Sequence, residues 1–262
     1  MTPSVGGSSK TEKYNKLCVR TLSNLTPSQS GSCRLSRSEL LTAVREADVG
    51  SLQLIRSFGD ADESLKADRE FMLKVVKEDG QLLQFASNVL RSNHEVVLEA
   101  VKSSGRALAF AAEALKADRE IVLEAVKQDG YVLEDVHRSL KADHEVVLQA
   151  MRQNGGAFRA AAESLKADRE FILKVVKIHG WALQYAEPSL QSDREIVLAA
   201  MKKGATVLGR APIQSWLLKH APRSIKSDRE IVIEAIKQNA GALHESSVTL
   251  QQDAEIRKIA GW

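Results

Sequence analysis

The sequence predicts an all-α fold, an α-solenoid of about eight tandem two-helix repeats of 25 residues. The first observation is a recurring heptapeptide: SLKADRE stands at 64–70 and 164–170, ALKADRE at 114–120 and SLKADHE at 139–145. The second is a run of apolar residues at helical spacing after each copy. The third is the size of the unit, because helices this short are not stable in water without neighbours.

The repeats are counted from the Asp or Asn that precedes the first helix of each copy. The intervals between these caps are 25, 25, 25, 25, 25, 35 and 25 residues. The caps of repeats 1 to 8 are Asp68, Asn93, Asp118, Asp143, Asp168, Asp193, Asp228 and Asp253. One interval alone departs, by ten residues, so the spacing indicates a tandem array.

The first helix of each repeat carries signals at both ends. The cap side chain accepts hydrogen bonds from free amides, and a Glu two positions later faces the positive end of the helix dipole. Apolar residues at positions 3, 4, 5, 7 and 8 after the cap span roughly 200°, so neighbours must cover the helix on two or three sides. A glycine is expected to end the helix in the left-handed conformation. These glycines are Gly80, Gly105, Gly130, Gly155 and Gly180.

The second helix of each repeat is predicted to be shorter. In repeat 1, Leu82, Leu83, Ala86 and Leu90 fall at helical spacing. The sequence leaves open whether this element is a true α-helix or a 3₁₀ turn. Either element would need the adjacent repeats to cover its apolar side.

Three other segments complete the predicted organisation. Residues 1–37 are rich in Ser, Thr and basic groups, and we expect a disordered tail or a targeting segment. Residues 38–64 are interpreted as a degenerate N-terminal capping hairpin, followed by the array at 65–262. Ten extra residues, 205–214, form an insertion between the two helices of repeat 6.

The composition is that of a soluble globular protein, with 44% hydrophobic and 27% charged residues. No apolar stretch approaches the ~18 residues needed to cross a bilayer. The net charge of +3 is uneven, because six basic residues against one acid give the tail +5 and leave −2 for the other 225 residues. Both cysteines, Cys18 and Cys33, lie in the tail, and we interpret them as free thiols in an intracellular compartment, cytoplasmic or organellar.

The repeated pattern resembles the domain of unknown function 4116. It reads Leu-x-x-Asp-Arg-Glu, an apolar run, Lys, Gly and Ala-Leu-x-x-Ala, and GWALQYAEPSLQSDREIVLAAMKK at 180–203 carries it most completely. The resemblance covers about 65–262 and departs from the pattern at Asn93, the long sixth interval and the truncated last copy. It implies tandem helical repeats, found mostly in protists, and no assigned activity.

One set of candidate partner-binding residues combines the insertion with the aromatic residues that begin second helices. Loops that project from a regular scaffold often carry function. The set is Gly209, Arg210, Pro212, Ile213, Trp216, Trp181 and Tyr131. The alternatives are a tolerated surface insertion and aromatic rings packed against the preceding repeat.

A second set of candidates is a basic ladder near the ends of the first helices. Stacked repeats would align these side chains along one edge, as a track for nucleic-acid phosphates. The ladder is Lys77, Lys102, Lys127, Arg152, Lys177, Lys202 and Lys237. The alternative is that each residue complements its own helix dipole and keeps the protein soluble.

The residue pattern favours binding over catalysis. The six histidines are scattered and share no face with carboxylates or cysteines, so no catalytic residue, metal ligand or cofactor is expected. We therefore expect a noncatalytic protein–protein interaction scaffold, as a subunit or assembly factor of a larger complex. The alternative is nucleic-acid binding through the basic ladder and the basic tail.

Overall fold

The computed structural model describes residues 36–46, 58–59, 61–203 and 213–262. Throughout these residues the regular elements are α-helices and 3₁₀-helices. The chain divides into two compact units, unit 1 (residues 1–137) and unit 2 (138–262). Each unit consists of tandem helical repeats, so the predicted all-α repeat fold of the α-solenoid class is confirmed.

Every repeat begins with a long α-helix, of ten residues in repeats 1 to 7 and seven in repeat 8. These helices are Arg69–Glu78, His94–Ser103, Arg119–Gln128, His144–Gln153, Arg169–Ile178, Arg194–Lys203, Arg229–Gln238 and Ala254–Ala260. The predicted caps form: the Asp118 side chain accepts from the amides of Glu120 and Ile121. Because these amides have no partner within the helix, each cap contributes about 1 kcal/mol.

The core lies on the long helices, at positions 3, 4, 7 and 8. In repeat 1 these are Phe71, Met72, Val75 and Val76, all fully or almost fully buried. Position 5, which was predicted to share this face, is half-buried at Leu73. The long helices of repeats 1 and 2 pack on each other, and the second element of each repeat covers another side.

The second element differs from the single short helix that the apolar spacing predicts. It starts as a 3₁₀-helix and continues, after a break, as a short helical turn. The 3₁₀-helices are Gly80–Phe85, Gly105–Phe110, Gly130–Glu134, Gly155–Ala160, Gly180–Tyr185 and Ala240–Glu245. The turns are Asn88–Arg91, Glu113–Lys116, Leu140–Ala142, Glu163–Lys166, Leu190–Ser192, Arg223–Lys226 and Val248–Gln251. A similar helix, Glu63–Ala67, precedes repeat 1.

A hydrogen bond between repeats accounts for the break. In unit 1, the Ser87 amide donates to the Lys66 carbonyl one repeat earlier at 2.9 Å. In unit 2, the Ala162 amide donates to the Lys141 carbonyl at the same distance. An amide that is committed to the preceding repeat cannot extend the helix of its own repeat, so the element divides there.

The glycines after the long helices are not left-handed, contrary to the expectation from the sequence. Among the residues that the structure describes, the glycine with positive φ is Gly261, at 78°. A Cβ on Gly80 would lie 2.1 Å from the Ala100 carbonyl oxygen, and one on Gly105 would lie 2.7 Å from the Ala125 carbonyl oxygen. Both oxygens belong to the long helix of the next repeat. Glycine is needed because two backbones meet there, not because the helix ends there.

Arginine at position 1 links consecutive repeats of unit 2. The Arg169 Nε lies 2.8 Å from Asp193 Oδ2, and its Nη2 lies 2.6 Å from Glu195 Oε2. Arg194 pairs in the same way with Asp228 and Glu230 of the next repeat. The hydrogen bond from Arg169 is the main reason that the pKa of Asp193 is lowered.

The helix Arg37–Glu46 precedes the array and packs on repeat 1. The Arg37 Nη1 lies 2.8 Å from Asp68 Oδ2, and its guanidinium lies 5.6 Å from the Phe71 ring centroid. Leu40 is fully buried. Residues 47–57 lie outside the described residues, so the capping hairpin at 38–64 stays a prediction, as does the nature of the tail.

Candidate binding groove

Three successive 3₁₀-helices of unit 1 form an open groove of about 540 Å³. The groove therefore uses the variable second elements and leaves the long helices buried beneath. Its lining residues are Gln81, Arg106, Ala109, Phe110, Asp129, Tyr131, Val132, Glu134 and Asp135.

The geometry of the second element decides which residues face the groove. Positions 14 and 15 of each repeat point into the core, as Ala107 and Leu108 do in repeat 2. Position 13 lies next to them on the outside, and it is Gln81, Arg106 and Tyr131 in repeats 1 to 3. The three outward residues therefore fall at one register position along the groove.

Asp129 organises one end of the groove. Its Oδ1 accepts the Tyr131 amide at 2.9 Å, which caps the 3₁₀-helix, and its Oδ2 accepts the Arg106 Nε at 2.7 Å. By accepting this hydrogen bond, Asp129 raises the pKa of Arg106 above its ordinary value. The Asp129 side chain is 22% exposed, so this pair belongs to the wall of the groove.

Three other groove side chains have unused binding capacity. The Tyr131 side chain is 50% exposed, which is unusual for a large aromatic residue in this chain. Within the described part of the chain, no hydrogen bond or ion pair engages the side chains of Gln81, Tyr131 or Asp135. The groove thus presents an amide, a phenol and a carboxylate around the half-buried ring of Phe110.

The arrangement is suited to binding. The described residues hold no group of three or more His, Cys, Asp or Glu that could bind a metal ion. The groove carries three carboxylates, Asp129, Glu134 and Asp135, against the single guanidinium of Arg106. It therefore favours a cationic ligand over an anionic one.

Trp181, which shares position 13 with Tyr131, has a different environment in unit 2. Its ring lies 5.9 Å from the His179 ring and 6.0 Å from the Tyr185 ring, between centroids. A Cβ on Gly155 would lie 2.6 Å from Trp181 Cζ2, so the tryptophan occupies the space above that glycine. Trp181 packs on the preceding repeat, which is the alternative that the sequence left open.

Most of the insertion falls outside the described residues. This applies to Gly209, Arg210 and Pro212, whose proposed role stays a prediction. Ile213 and Trp216 belong to the helix Ile213–His220, which replaces the 3₁₀-helix of other repeats, and their side chains are not among those described.

A second pocket, of about 270 Å³, lies beside the helix Ile213–His220 in unit 2. It is smaller than the groove and includes two prolines. Its lining residues are Pro188, Gln191, Ser192, Leu217, His220, Ala221 and Pro222.

The cations of the basic ladder lie close to acidic or amide groups. Lys102 Nζ lies 2.9 Å from Glu99 Oε1, and Lys237 Nζ lies 2.6 Å from Glu234 Oε1. Further distances are 3.7 Å for Lys77–Glu99, 3.3 Å for Lys127–Glu124, 3.2 Å for Lys202–Glu230 and 3.2 Å for Arg152–Gln149. Lys177 is exposed. Paired cations attract phosphates less strongly than free ones, so the ladder is a weaker candidate than the groove.

The sequence analysis found Tyr131 and missed the residues around it. Asp129 and Asp135 lie at positions 11 and 17, where the repeats differ in charge. Comparing these positions between repeats would have drawn attention to them. Their convergence with Arg106 depends on the stacking distance between repeats, which the sequence does not contain.

Comparisons with known proteins identify one family. A family model described as "Domain of unknown function (DUF4116)" matches residues 68–116, 118–166, 168–216 and 213–251. The first three matches each begin at a cap and span two 25-residue repeats. Searches of curated proteins and of solved structures gave no match. None of the helices in the described ranges is long and apolar enough to span a membrane.

Proposed function

The chain belongs to the DUF4116 family of tandem helical repeats, and on that premise we propose that it is a noncatalytic scaffold that binds another protein. The groove of unit 1 is the proposed binding surface, and the bound protein would be a component of a larger complex. The insertion at 205–214 is a second surface available to such partners.

One observation carries this proposal: the repeats share their core but differ where the groove is formed. Positions 3, 4, 7 and 8 are apolar and buried in repeats 1 to 7. Position 13 carries Gln81, Arg106 and Tyr131 in three consecutive repeats. The fold does not need these three side chains, because exposed positions of this kind contribute little to stability. A shared framework with individual surface residues is suited to recognising one partner.

Binding of a protein is favoured over binding of a nucleic acid by the charges of the groove. Its three carboxylates would repel phosphates, whereas an interface with a protein tolerates both signs of charge at its rim. An exposed tyrosine such as Tyr131 also has the character of an interface anchor.

The test is affinity capture with the full chain, followed by binding of the purified partner. We expect Tyr131→Ala to weaken binding of that partner by about tenfold or more, as the loss of an interface anchor does. The matched control is Trp181→Ala, which removes an aromatic residue at the same register position from unit 2. A second variant without residues 205–214 reports on the insertion.

Two results would contradict the proposal. One is a capture that nuclease treatment abolishes, which would assign the chain to nucleic-acid binding. The other is a set of partners that bind Tyr131→Ala and the deletion variant as tightly as the unaltered chain.

A further inference from the structure

We propose that the groove of unit 1 binds an arginine side chain from an extended segment of the partner protein. The inference rests on the proposed scaffold function and specifies its ligand. It is carried by the charge of the groove, by its aromatic surface and by an arginine–aspartate pair that the groove already contains.

Charge selects a cation. Arg106 and Asp129 neutralise each other at 2.7 Å, and the carboxylates of Glu134 and Asp135 remain as the net charge of the groove. Asp135 is exposed and is not engaged by any described residue, so its two oxygens are available to a ligand. A carboxylate accepts two parallel hydrogen bonds from a guanidinium, and this geometry is not open to an ammonium group.

The aromatic surface selects arginine in the same direction. Phe110 is half-buried and Tyr131 is half-exposed, so both present part of a ring to the groove. A guanidinium stacks on aromatic faces, and its aliphatic stem packs on apolar surface such as that of Ala109 and Val132. Neither contact requires a movement of the long helices beneath.

The groove already shows this recognition within the chain. Arg106 of repeat 2 reaches across to Asp129 of repeat 3, where its Nε–H donates to the carboxylate. Asp135 lies in the same repeat as Asp129 and lines the same groove, without such an arginine. An arginine from a partner would give Asp135 the kind of contact that Arg106 gives Asp129.

An extended segment fits the spacing of the repeats. Packed helical layers lie ~8–10 Å apart, which two or three residues of extended chain span at ~3.3 Å each. A segment that places its arginine at Asp135 would pass Arg106 and reach Gln81 within about six residues. The Gln81 amide can then donate to, and accept from, the peptide backbone.

The experiment is an NMR titration of the ¹⁵N-labelled full chain with the peptide acetyl-Ala-Gly-Arg-Gly-Ala-amide. We expect saturable shifts at the amides of Ala109, Tyr131, Val132 and Asp135. The same peptide with citrulline in place of arginine keeps the shape and loses the charge, and it should bind about tenfold more weakly or not at all.

Two variants separate the groove from general attraction to acidic surface. Asp135→Asn should weaken the arginine peptide by about tenfold. Glu120→Gln makes the same change of charge at an exposed residue of the same unit, and it should change the affinity by less than about twofold.

Three results would overturn the inference: equal binding of the arginine and lysine peptides, equal effects of Asp135→Asn and Glu120→Gln, or shifts in the groove with an oligonucleotide instead of the peptide. In each case the capture experiment still decides the scaffold function independently. A partner that needs Tyr131 but binds without an arginine would keep the proposed function and exclude this ligand.

Discussion

Tyr131 in unit 1 and Trp181 in unit 2 occupy the same register position, yet one ring faces solvent and the other is packed. The neighbouring residues differ at two positions. Position 11 is Asp129 beside the tyrosine and His179 beside the tryptophan. Position 17 is Asp135 in unit 1 and an aromatic residue, Tyr185, in unit 2.

The comparison shows how one backbone gives either an open groove or a closed cluster. In unit 2, the rings at positions 11, 13 and 17 contact one another, and the ring of Trp181 fills the space above Gly155. In unit 1, charged groups at positions 11 and 17 cannot pack on the tyrosine in this way, so the space stays open. Two positions per repeat are therefore enough to change a surface without changing the fold.

The largest effect is expected from breaking the framework that both surfaces share. In Gly80→Ala, the new Cβ would lie 2.1 Å from the Ala100 carbonyl oxygen, and backbone must move to relieve the contact. We expect the free energy of unfolding of the full chain to fall by about 2–3 kcal/mol. Chemical denaturation measures it.

The matched control for Gly80→Ala is Gly59→Ala in the same unit. A Cβ on Gly59 would approach Phe85 Cε1 at 3.9 Å, which is an ordinary contact. Its effect should stay within about 0.5 kcal/mol. Equal effects of the two substitutions would contradict the account of glycine as a site of backbone contact.

A middle-sized effect is expected from removing the two rings themselves. Trp181→Ala removes packing from three neighbours and should lower the free energy of unfolding by about 1–2 kcal/mol. Tyr131→Ala removes a half-exposed ring and should change it by less than about 0.5 kcal/mol. Thermal unfolding of both variants tests the difference, and an equal loss would mean that the groove is not open.

The smallest effect concerns the caps, where unit 1 has Asn93 and unit 2 has Asp193 at the equivalent position. The folded state lowers the pKa of Asp193, chiefly through the hydrogen bond from Arg169. A lowered pKa means that Asp193 stabilises the fold above its unfolded pKa of about 3.9, and that this contribution is lost as the pH falls further.

The corresponding measurement compares the unaltered chain with Asp193→Asn at pH 6 and pH 3. The variant replaces a titrating cap with the cap that unit 1 uses at Asn93. The unaltered chain should lose more stability between the two pH values than the variant does. An identical loss would exclude Asp193 as a source of acid sensitivity.

The sequence was sufficient for the fold because the fold depends on local patterns. The caps, the apolar positions and the interval of 25 residues each have a direct physical meaning, and the structure has all three. The division of the second element was not accessible, because it results from the Ser87 amide bonding to Lys66 in another repeat. The role of Gly80 was misjudged for the same reason, since its contact is with Ala100.

The candidate site was predictable only in part. The sequence identified Tyr131 by its register position, but it treated Tyr131 and Trp181 as equivalent. Their difference arises from side chains at positions 11 and 17, which matter only when the repeats are stacked. The part of the insertion at 205–212 adds nothing to this comparison, because it lies outside the described residues.

The links between repeats also have a consequence for the rate of folding. Outside the insertion, the side-chain hydrogen bonds between adjacent repeats join residues 23 to 28 positions apart, as in Gly80–Ser103 and His179–Met151. Chains whose contacts are this local close small loops and fold quickly for their length. Any two adjacent repeats could provide the nucleus, and growth from it would add one repeat at a time.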